Sequence, residues 1–233
     1  MNIALIVAGG SGSRMGQTTI KQMLEVNGKP LMLYCLDTFN KNPEISAIVI
    51  VMHPDYIDQC DELCSKYGFN KVKSIIPGGD TRQESVYYGL LEVEKYIHAP
   101  DDNILIHDAA RPLISDVIIS KNIKACDAFE AVTTAIQATD TIVKSIDSDI
   151  ISETLSRSEL YQVQTPQTFK YNIIRYAHER AREKEIPDVT DDAKLVMLAG
   201  YSVHIVNGNK ANFKVTIQED LLLMKAFLDH KGE

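Results

Sequence analysis

The chain has 233 residues, with 24 Lys or Arg and 32 Asp or Glu, so its formal net charge is −8. This acidic balance argues against broad electrostatic binding to nucleic acid or to an anionic membrane surface. No apolar run approaches the roughly 20 residues that a membrane-spanning helix needs, and a chain of this length is expected to form one domain with a complete core.

The first half of the chain alternates short apolar strands with helices. We predict strands at 2–8, 47–52, 72–76 and 103–107, and helices at 30–39, 55–67, after residue 80 and at 116–125. Asp80 is predicted to cap the third helix, with Gln83 as its capping-box partner. Because the strands are nearly continuous apolar runs, the pattern predicts an α/β fold with a mostly parallel sheet and helices on both faces.

The alternation changes between about residues 133 and 169. Two β-prone stretches, 141–146 and 150–155, flank the turn Asp147-Ser148-Asp149, which predicts a hairpin. In one interpretation the hairpin projects from the body and a second subunit covers its edges. In the other it folds back onto the main sheet of its own chain, and the sequence pattern leaves both interpretations open. Further on we predict helices at 171–184 and 191–198, strands at 203–206 and 213–215, and a last helix with Leu221, Met224 and Leu228 on one face.

The cysteines and the N-terminal sequence indicate the subcellular location of the protein. Cys35, Cys60, Cys64 and Cys126 are predicted to be reduced thiols, because no histidine accompanies them in a zinc-ligand spacing and nothing indicates a disulfide framework. The first strand runs directly into a glycine loop and has no basic region before it, unlike a signal peptide. Both features predict a cytoplasmic protein.

A glycine-rich loop follows the first strand, with the sequence Ala8-Gly9-Gly10-Ser11-Gly12-Ser13-Arg14-Met15-Gly16. Glycines let backbone N–H groups approach a phosphate, and Arg14 and Lys21 add positive charge. The loop lacks the Gly-Lys-Ser/Thr of a P-loop, and Met15 stands where a dinucleotide-binding loop has its last glycine. Taken by itself, the loop has a tight strand-to-helix turn as its alternative interpretation.

Two more polar segments follow later strands, Gly78–Ser85 and His107–Pro112. A helix N-terminus binds anions, Asp108 is suited to a divalent cation, and Arg111 is suited to neutralising phosphate. Simple helix capping and a surface Asp–Arg pair are the alternatives. Because ligands of parallel sheets bind at the carboxyl ends of the strands, all three segments are expected to converge there.

Taken in order, these segments resemble the cytidylyltransferases that act on 2-C-methyl-D-erythritol 4-phosphate or, in a sister group, on D-ribitol 5-phosphate. The resemblance extends over nearly the whole chain through Lys21-Gln22, Asp140-Thr141, Gln164–Gln167, Thr190–Ala193 and Phe213–Thr216. It implies a Rossmann-like nucleotidyltransferase fold, one domain over residues 1–233, and a homodimer formed through a protruding β-arm at about 134–168. It also implies CTP as co-substrate and Mg²⁺ as cofactor.

The resemblance assigns roles to matching residues. Arg14 and Lys21 match transition-state stabilisers, and Asp108 matches the aspartate associated with Mg²⁺. Thr141 and Arg157 match arm residues that grip the acceptor in the neighbouring subunit's site, and Lys214, in the predicted strand at 213–215, matches the lysine that positions the acceptor phosphate. The residues expected to hold CTP are Val7, Ala8, Gly9, Gly10, Gly79, Asp80, Arg82 and Ser85.

The implied chemistry fits these residue types. A phosphate monoester, whose second pKa is about 6, is mostly dianionic at neutral pH and needs little help from a base. No nucleophilic Ser/His/Asp or Cys/His set is therefore required, and His107 is interpreted as structural. The main contribution to the barrier is the repulsion between two anionic substrates. Positive charge would offset this repulsion, and it would come from Arg14, Lys21, Arg157, Lys214 and Mg²⁺.

The chain departs from the family in one place near the site. Ile20 stands where a proline usually precedes the Lys-Gln pair, which predicts a more mobile segment around Lys21.

The acceptor is the main question left open. Gly9-Gly10 and residues 138–143 look closer to the ribitol-phosphate group, whereas Gly78–Ser85 and Thr190–Ala193 look closer to the methylerythritol-phosphate group. We expect methylerythritol phosphate, and thus isoprenoid precursor synthesis, with ribitol phosphate for cell-surface polymers as the alternative. Two other functions remain as alternatives, a non-catalytic CTP-binding paralogue and an NAD-dependent oxidoreductase. The oxidoreductase hypothesis rests only on the Rossmann-like alternation of strands and helices.

Overall fold

Strands and helices alternate along residues 1–10 and 20–230, which are the residues that this computed structural model describes. The strands are β1 (Asn2–Ala8), β2 (Glu25–Val26), β3 (Lys29–Pro30), β4 (Ala47–Met52), β5 (Val72–Pro77), β6 (Asn103–Asp108), β7 (Ala131–Gln137), β8 (Val143–Ser145), β9 (Ile151–Thr154), β10 (Tyr161–Lys170) and β11 (His204–Asn207). The α-helices are α1 (Leu31–Lys41), α2 (Ile57–Lys66), α3 (Arg82–Val93), α4 (Asp116–Phe129), α5 (Tyr171–Glu183), α6 (Asp192–Leu198) and α7 (Gln218–His230).

Seven strands form one sheet in the order β11-β7-β10-β6-β1-β4-β5. Strand β1 pairs in parallel with β4 and β6, and the pairs β4–β5 and β7–β11 are also parallel. Strand β10 runs antiparallel to both of its neighbours, β6 and β7. The predicted α/β fold with a mostly parallel sheet is confirmed.

Both faces of this sheet are covered by helices, as predicted. On β1, Ala4 and Ile6 pack in a core cluster with α1, α2 and α4. Ile3 and Leu5 point the other way and pack in a second cluster with α3, α5 and α6. Because successive side chains of a strand face opposite sides, a strand buried on both faces is a continuous apolar run, which is why β1 and β4 were predictable to the residue.

The hairpin β8–β9 forms its own two-stranded sheet, with Val143 opposite Thr154. It therefore does not fold back into the seven-stranded sheet, and every residue of its two strands is exposed. Exposed apolar side chains include Val143 and Ile151 in the strands, and Ile146 (86% exposed) and Ile150 (67% exposed) in the turn between them. Strands β7 and β10, which flank this hairpin, belong to the main sheet.

Helix α3 begins one residue later than predicted. Its N-cap is Thr81 and not Asp80, since the Thr81 side chain accepts from the backbone N–H of Glu84 at 3.1 Å. The Glu84 carboxylate accepts in return from the Asp80 N–H at 2.9 Å. Gln83, the predicted box partner, instead accepts from the backbone N–H of Val189. A Glu three residues after the threonine is what selects the later cap.

The predicted strand at 213–215 is wrong. The segment joins the turn after β6 through one bond, from the Val215 N–H to the Ala110 carbonyl at 2.8 Å. Phe213 and Val215 pack in a small apolar cluster with Leu221, Met224 and Leu228 of α7. The alternation of apolar residues here thus reflects packing on a helix, and Lys214 lies in a loop. The predicted apolar face of α7 is confirmed.

The four cysteines, predicted to be reduced thiols, are all buried and free. Among the described helices, none has the length and apolar character needed to cross a bilayer.

Candidate active site

A cavity of about 690 Å³ lies at the carboxyl edge of the sheet, where β1, β4, β5 and β6 end. This is the place at which the sequence predicts convergence of the three polar segments. Ten of the predicted site residues line it: Val7, Gly9, Gly10, Lys21, Gly79, Asp80, Arg82, Ser85, Asp108 and Lys214.

Glycines make the floor of this cavity possible. A Cβ atom on Gly78 would lie 2.9 Å from the Ser85 Oγ and 3.3 Å from the Gly9 Cα, so the ends of β1 and β5 approach only because neither has a side chain there. The Ser85 hydroxyl accepts from the Gly79 N–H at 3.1 Å and donates to the Thr81 carbonyl at 2.9 Å. Residues 11–19 lie outside the described part of the chain, and Arg14 with them.

Asp108 is the centre of an ion network at the end of β6. Its Oδ1 lies 3.2 Å from Arg82 Nε, and its Oδ2 lies 2.7 Å from Lys214 Nζ. Arg82 also binds the buried Asp192 at 2.7 Å through Nη1, so its guanidinium bridges two carboxylates.

The network keeps both of those carboxylates ionised. Burial by itself raises the pKa of the Asp108 carboxyl, but the charges of Arg82 and Lys214 outweigh it and hold the pKa far below its ordinary value. The pKa of Asp192 is lowered in the same way, with Arg82 overcoming burial. Asp108 therefore presents a fixed negative charge to the cavity.

Lys21 lies across the cavity floor near the Lys214 loop. Its Nζ donates to the Val215 carbonyl at 3.0 Å. The preceding Ile20 is 5% exposed and has φ −68° and ψ 145°, backbone angles that proline also adopts. Packing of Ile20 and Met23 in the core holds the short 3₁₀ turn that carries Lys21, and this burial opposes the mobility predicted for the segment.

Four predicted residues do not line the cavity of this chain. Ala8 is buried in the core. The Arg111 guanidinium donates to the carbonyls of Asn212 at 2.9 Å and Val163 at 3.2 Å, so it ties loops together behind the cavity. Thr141 is exposed on the arm, and Arg157 donates to the Thr139 carbonyl there.

Asp192 and Gln167 are site residues that sequence reasoning did not single out. Gln167 donates through Nε2 to the Asp191 carboxylate and accepts through Oε1 from the Asp192 N–H, so it fixes the start of α6. Asp192 is also bound by His178 at 3.2 Å. The motif Thr190–Ala193 was part of the resemblance, but nothing in it pointed to a partner 110 residues away, Arg82.

The residues around Asp108 fit a magnesium ion that arrives with a nucleotide. Within residues 1–10 and 20–230, no set of three or more His, Cys, Asp or Glu side chains is placed to hold a metal by itself. Mg²⁺ is commonly bound by one or two carboxylates, with phosphate oxygens and waters completing its octahedral shell. One ionised carboxylate facing a cavity of nucleotide size meets that requirement.

Known proteins match the chain over almost its whole length. The family model described as 2-C-methyl-D-erythritol 4-phosphate cytidylyltransferase matches residues 2–230. A protein of that name from Clostridium botulinum (strain Langeland / NCTC 10281 / Type F) is 39% identical over 228 residues, 98% of this chain and 97% of the relative. A ribitol-5-phosphate cytidylyltransferase from Vibrio parahaemolyticus is 38% identical over 232 residues, 98% and 96% of the two chains.

Solved structures agree with these relatives. The 4-diphosphocytidyl-2C-methyl-D-erythritol synthase from Anaerococcus prevotii superposes with a TM-score of 0.84 at 31% identity, covering 98% of this chain and 96% of that one. The 2-C-methyl-D-erythritol 4-phosphate cytidylyltransferase from Thermus thermophilus has a TM-score of 0.77 at 28% identity, covering 97% and 98%. The chain belongs to the 2-C-methyl-D-erythritol 4-phosphate cytidylyltransferase family.

Proposed function

We propose that this protein transfers CMP from CTP to 2-C-methyl-D-erythritol 4-phosphate and releases pyrophosphate, a step in isoprenoid precursor synthesis. The observation that carries the proposal is a cavity lined by the Gly9-Gly10 backbone and Lys21, in which Arg82 and Lys214 pair with the ionised Asp108. Family membership supports the same conclusion. Both substrates are small charged molecules, and we propose that the enzyme works in the cytoplasm.

The reaction joins a phosphate oxygen of the acceptor to the α-phosphorus of CTP. The bond from that phosphorus to the oxygen bridging to the β-phosphate breaks, and its electron pair leaves with pyrophosphate. The acceptor phosphate is mostly dianionic at neutral pH, so no proton has to be removed from the attacking oxygen. The residues therefore have to align two anions and stabilise the charge on the leaving group.

Lys214 and Lys21 are suited to that task. Lys214 lies at the β6 end of the cavity, and we propose that it orients the acceptor phosphate. Lys21, together with Arg14, is proposed to stabilise the triphosphate as negative charge moves onto the leaving group. Backbone N–H groups of Gly9 and Gly10 are proposed to supply donors that need no reorganisation during the reaction, whereas the Gly79 N–H is already bound to the Ser85 hydroxyl.

The charge of the cavity supports a requirement for a divalent cation. The charged groups of the described lining are three cations, Lys21, Arg82 and Lys214, and four carboxylates, Asp55, Asp80, Asp108 and Asp188. This balance does not neutralise a triphosphate and a second phosphate. Asp108 is proposed to hold Mg²⁺, which would supply positive charge that offsets the charge of the substrate phosphates.

The arm supports a homodimer in which the site is shared. Thr141 and Arg157 are exposed on the arm and do not line the cavity of their own chain. The hairpin also exposes Ile146, Ile150 and Ile151, which a partner would cover. We propose that the arm of one protomer carries Thr141 and Arg157 to the acceptor side of its partner's cavity.

D-Ribitol 5-phosphate is the second candidate acceptor, favoured by the 38% identity to a ribitol-5-phosphate cytidylyltransferase. Both acceptors are short phosphorylated polyols, and the cations above act on the phosphate that they share. A competition experiment separates them: equal concentrations of both acceptors, limiting CTP and Mg²⁺, and mass spectrometry of the CDP-alcohols. The proposal expects mainly the methylerythritol product, whereas mainly CDP-ribitol would reassign the acceptor.

A further inference from the structure

His107 is fully buried beneath the cavity and is bound at both ring nitrogens. Its Nε2 lies 3.0 Å from the Arg111 carbonyl, and its Nδ1 lies 3.1 Å from the Thr165 hydroxyl. The ring of Phe39 packs against it at 5.1 Å between centroids. His107 itself does not line the cavity.

The partners of His107 determine where its proton lies. A carbonyl only accepts, so Nε2 carries the proton and donates it to Arg111. Nδ1 is then an acceptor, and the Thr165 hydroxyl donates to it. The same hydroxyl oxygen accepts the backbone N–H of Asp108 at 3.1 Å. A continuous chain of hydrogen bonds thus runs from the Asp108 N–H through Thr165 and His107 to the Arg111 carbonyl.

These hydrogen bonds close around the turn at residues 108–111, which begins with Asp108 and is bonded to the loop of Lys214. Within the turn, the Arg111 N–H donates to the Asp108 carbonyl at 2.9 Å. The Ala110 carbonyl accepts from the Val215 N–H, and this bond holds the loop of Lys214. The position of the turn therefore sets the distance between the Asp108 carboxylate and the Lys214 ammonium.

We propose that His107 is a positioning residue for CMP transfer: through Thr165 and the Arg111 carbonyl it aligns Asp108 and Lys214. This inference rests on the proposed function. His107 touches neither substrate, and its effect on the rate is indirect. A displacement of about 1 Å at a reacting group is enough to lower a rate about 100-fold, so the proposal requires a large effect from a residue outside the cavity.

Three substitutions separate the two hydrogen bonds. His107→Phe keeps a flat ring against Phe39 and removes both bonds. His107→Asn keeps an acceptor near the Nδ1 position for Thr165, whereas His107→Gln keeps a donor near the Nε2 position for Arg111. Phe39→Leu is the matched control, because it loosens packing on the same ring and removes no hydrogen bond.

We expect His107→Phe to lower kcat about 100-fold at a temperature where the variant is fully folded, with the KM for CTP changed less than about threefold. His107→Asn should recover about tenfold of that loss, and Phe39→Leu should keep kcat near the wild-type value. An unchanged kcat in His107→Phe would overturn the proposal. If His107→Phe does not fold, kcat near the wild-type value in both the Asn and the Gln variant would overturn it instead, because each of these variants lacks one of the two bonds.

A second measurement does not depend on turnover. Hydrogen exchange of the Asp108 and Val215 amides, followed by NMR, should accelerate at least tenfold in His107→Phe and stay near wild type in Phe39→Leu. Equal exchange in the two variants would overturn the positioning role. Wild-type enzyme that transfers CMP to neither acceptor would contradict the proposed function, and the exchange rates would still decide whether His107 positions the turn.

Discussion

The Lys214 ammonium lies 2.7 Å from an Asp108 carboxylate oxygen, although the two residues are 106 positions apart in the chain. Asp108 ends strand β6, and Lys214 lies in a loop that is bonded to the turn following that strand. The pair thus places a cation and an anion side by side at the cavity edge. Substrate phosphate and a metal ion would each find an oppositely charged partner there.

Removing the Lys214 charge is expected to impair transfer far more than folding. Lys214→Gln should lower kcat/KM for the acceptor by about 100- to 1000-fold, since one preorganised cation at a reacting phosphate has about that effect. The exposed Lys210→Gln, in the same loop region and with the same change of charge, is the control and should stay near wild type. Steady-state kinetics with varied acceptor measures both, and a similar small loss in both would contradict the role of Lys214.

Arg82 should be a determinant of stability as well as of activity. Arg82→Gln leaves Asp192 and Asp108 without their shared cation, and losing one partner of a buried pair costs about 3–5 kcal/mol. Lys41→Gln removes an exposed partner of Asp37 and should cost under about 1 kcal/mol. Urea unfolding of the two variants gives these free energies. Equal destabilisation would mean that the Arg82 bridge is not the buried ion network described above.

The wild-type protein should lose stability as the pH falls from about 6.5 to about 4. Burial lowers the pKa of His107 to about 4 from an ordinary 6.5, so in this window the unfolded chain binds a proton that the folded chain does not. The free energy of unfolding then falls by up to about 1.4 kcal/mol per pH unit.

The His107 contribution is isolated by comparing variants. The stability advantage of wild type over His107→Asn should shrink as the pH falls through this window, because the variant has no imidazole to titrate. His230→Asn makes the same substitution at an exposed histidine and is the matched control. Urea denaturation between pH 7.5 and 4.5 supplies the curves, and parallel curves for wild type and His107→Asn would argue against a neutral buried ring.

Sharing of the site between protomers predicts complementation. Arg157→Ala impairs the arm and Lys214→Ala impairs the cavity, so a heterodimer of the two has one intact site out of two. After random subunit exchange, about half of the dimers are mixed, and activity should return to about a quarter of wild type. Each variant alone stays inactive. Activity that remains at the level of the separate variants would mean that each cavity is served by its own arm.

The parts of the fold that were predictable are those with continuous apolar runs. Strands β1 and β4 are buried on both faces, so each is a continuous apolar run whose two ends can be read from the sequence. Glycines and charges directly after strand ends likewise predicted most of the cavity lining, because parallel strands bring their carboxyl ends to one edge.

Other features depend on contacts that no local pattern encodes. The segment at 213–215 has the alternation of a strand but packs on α7. Arg111 lies in a motif that predicts phosphate binding. Its guanidinium instead donates hydrogen bonds to backbone carbonyls of two segments distant in the sequence. From the local sequence, Asp192 is an ordinary acidic residue in the first turn of a helix. Its ion pair with Arg82 forms only in the folded chain.

The most direct test of the central claim is pyrophosphate release by the wild-type enzyme with CTP and Mg²⁺. The assay compares methylerythritol 4-phosphate, ribitol 5-phosphate and no acceptor, each with and without EDTA. We expect release that requires an acceptor, is fastest with methylerythritol 4-phosphate, and stops when EDTA removes the metal. Binding of CTP without release in the presence of either acceptor would contradict the claim and identify the protein as a non-catalytic CTP-binding paralogue.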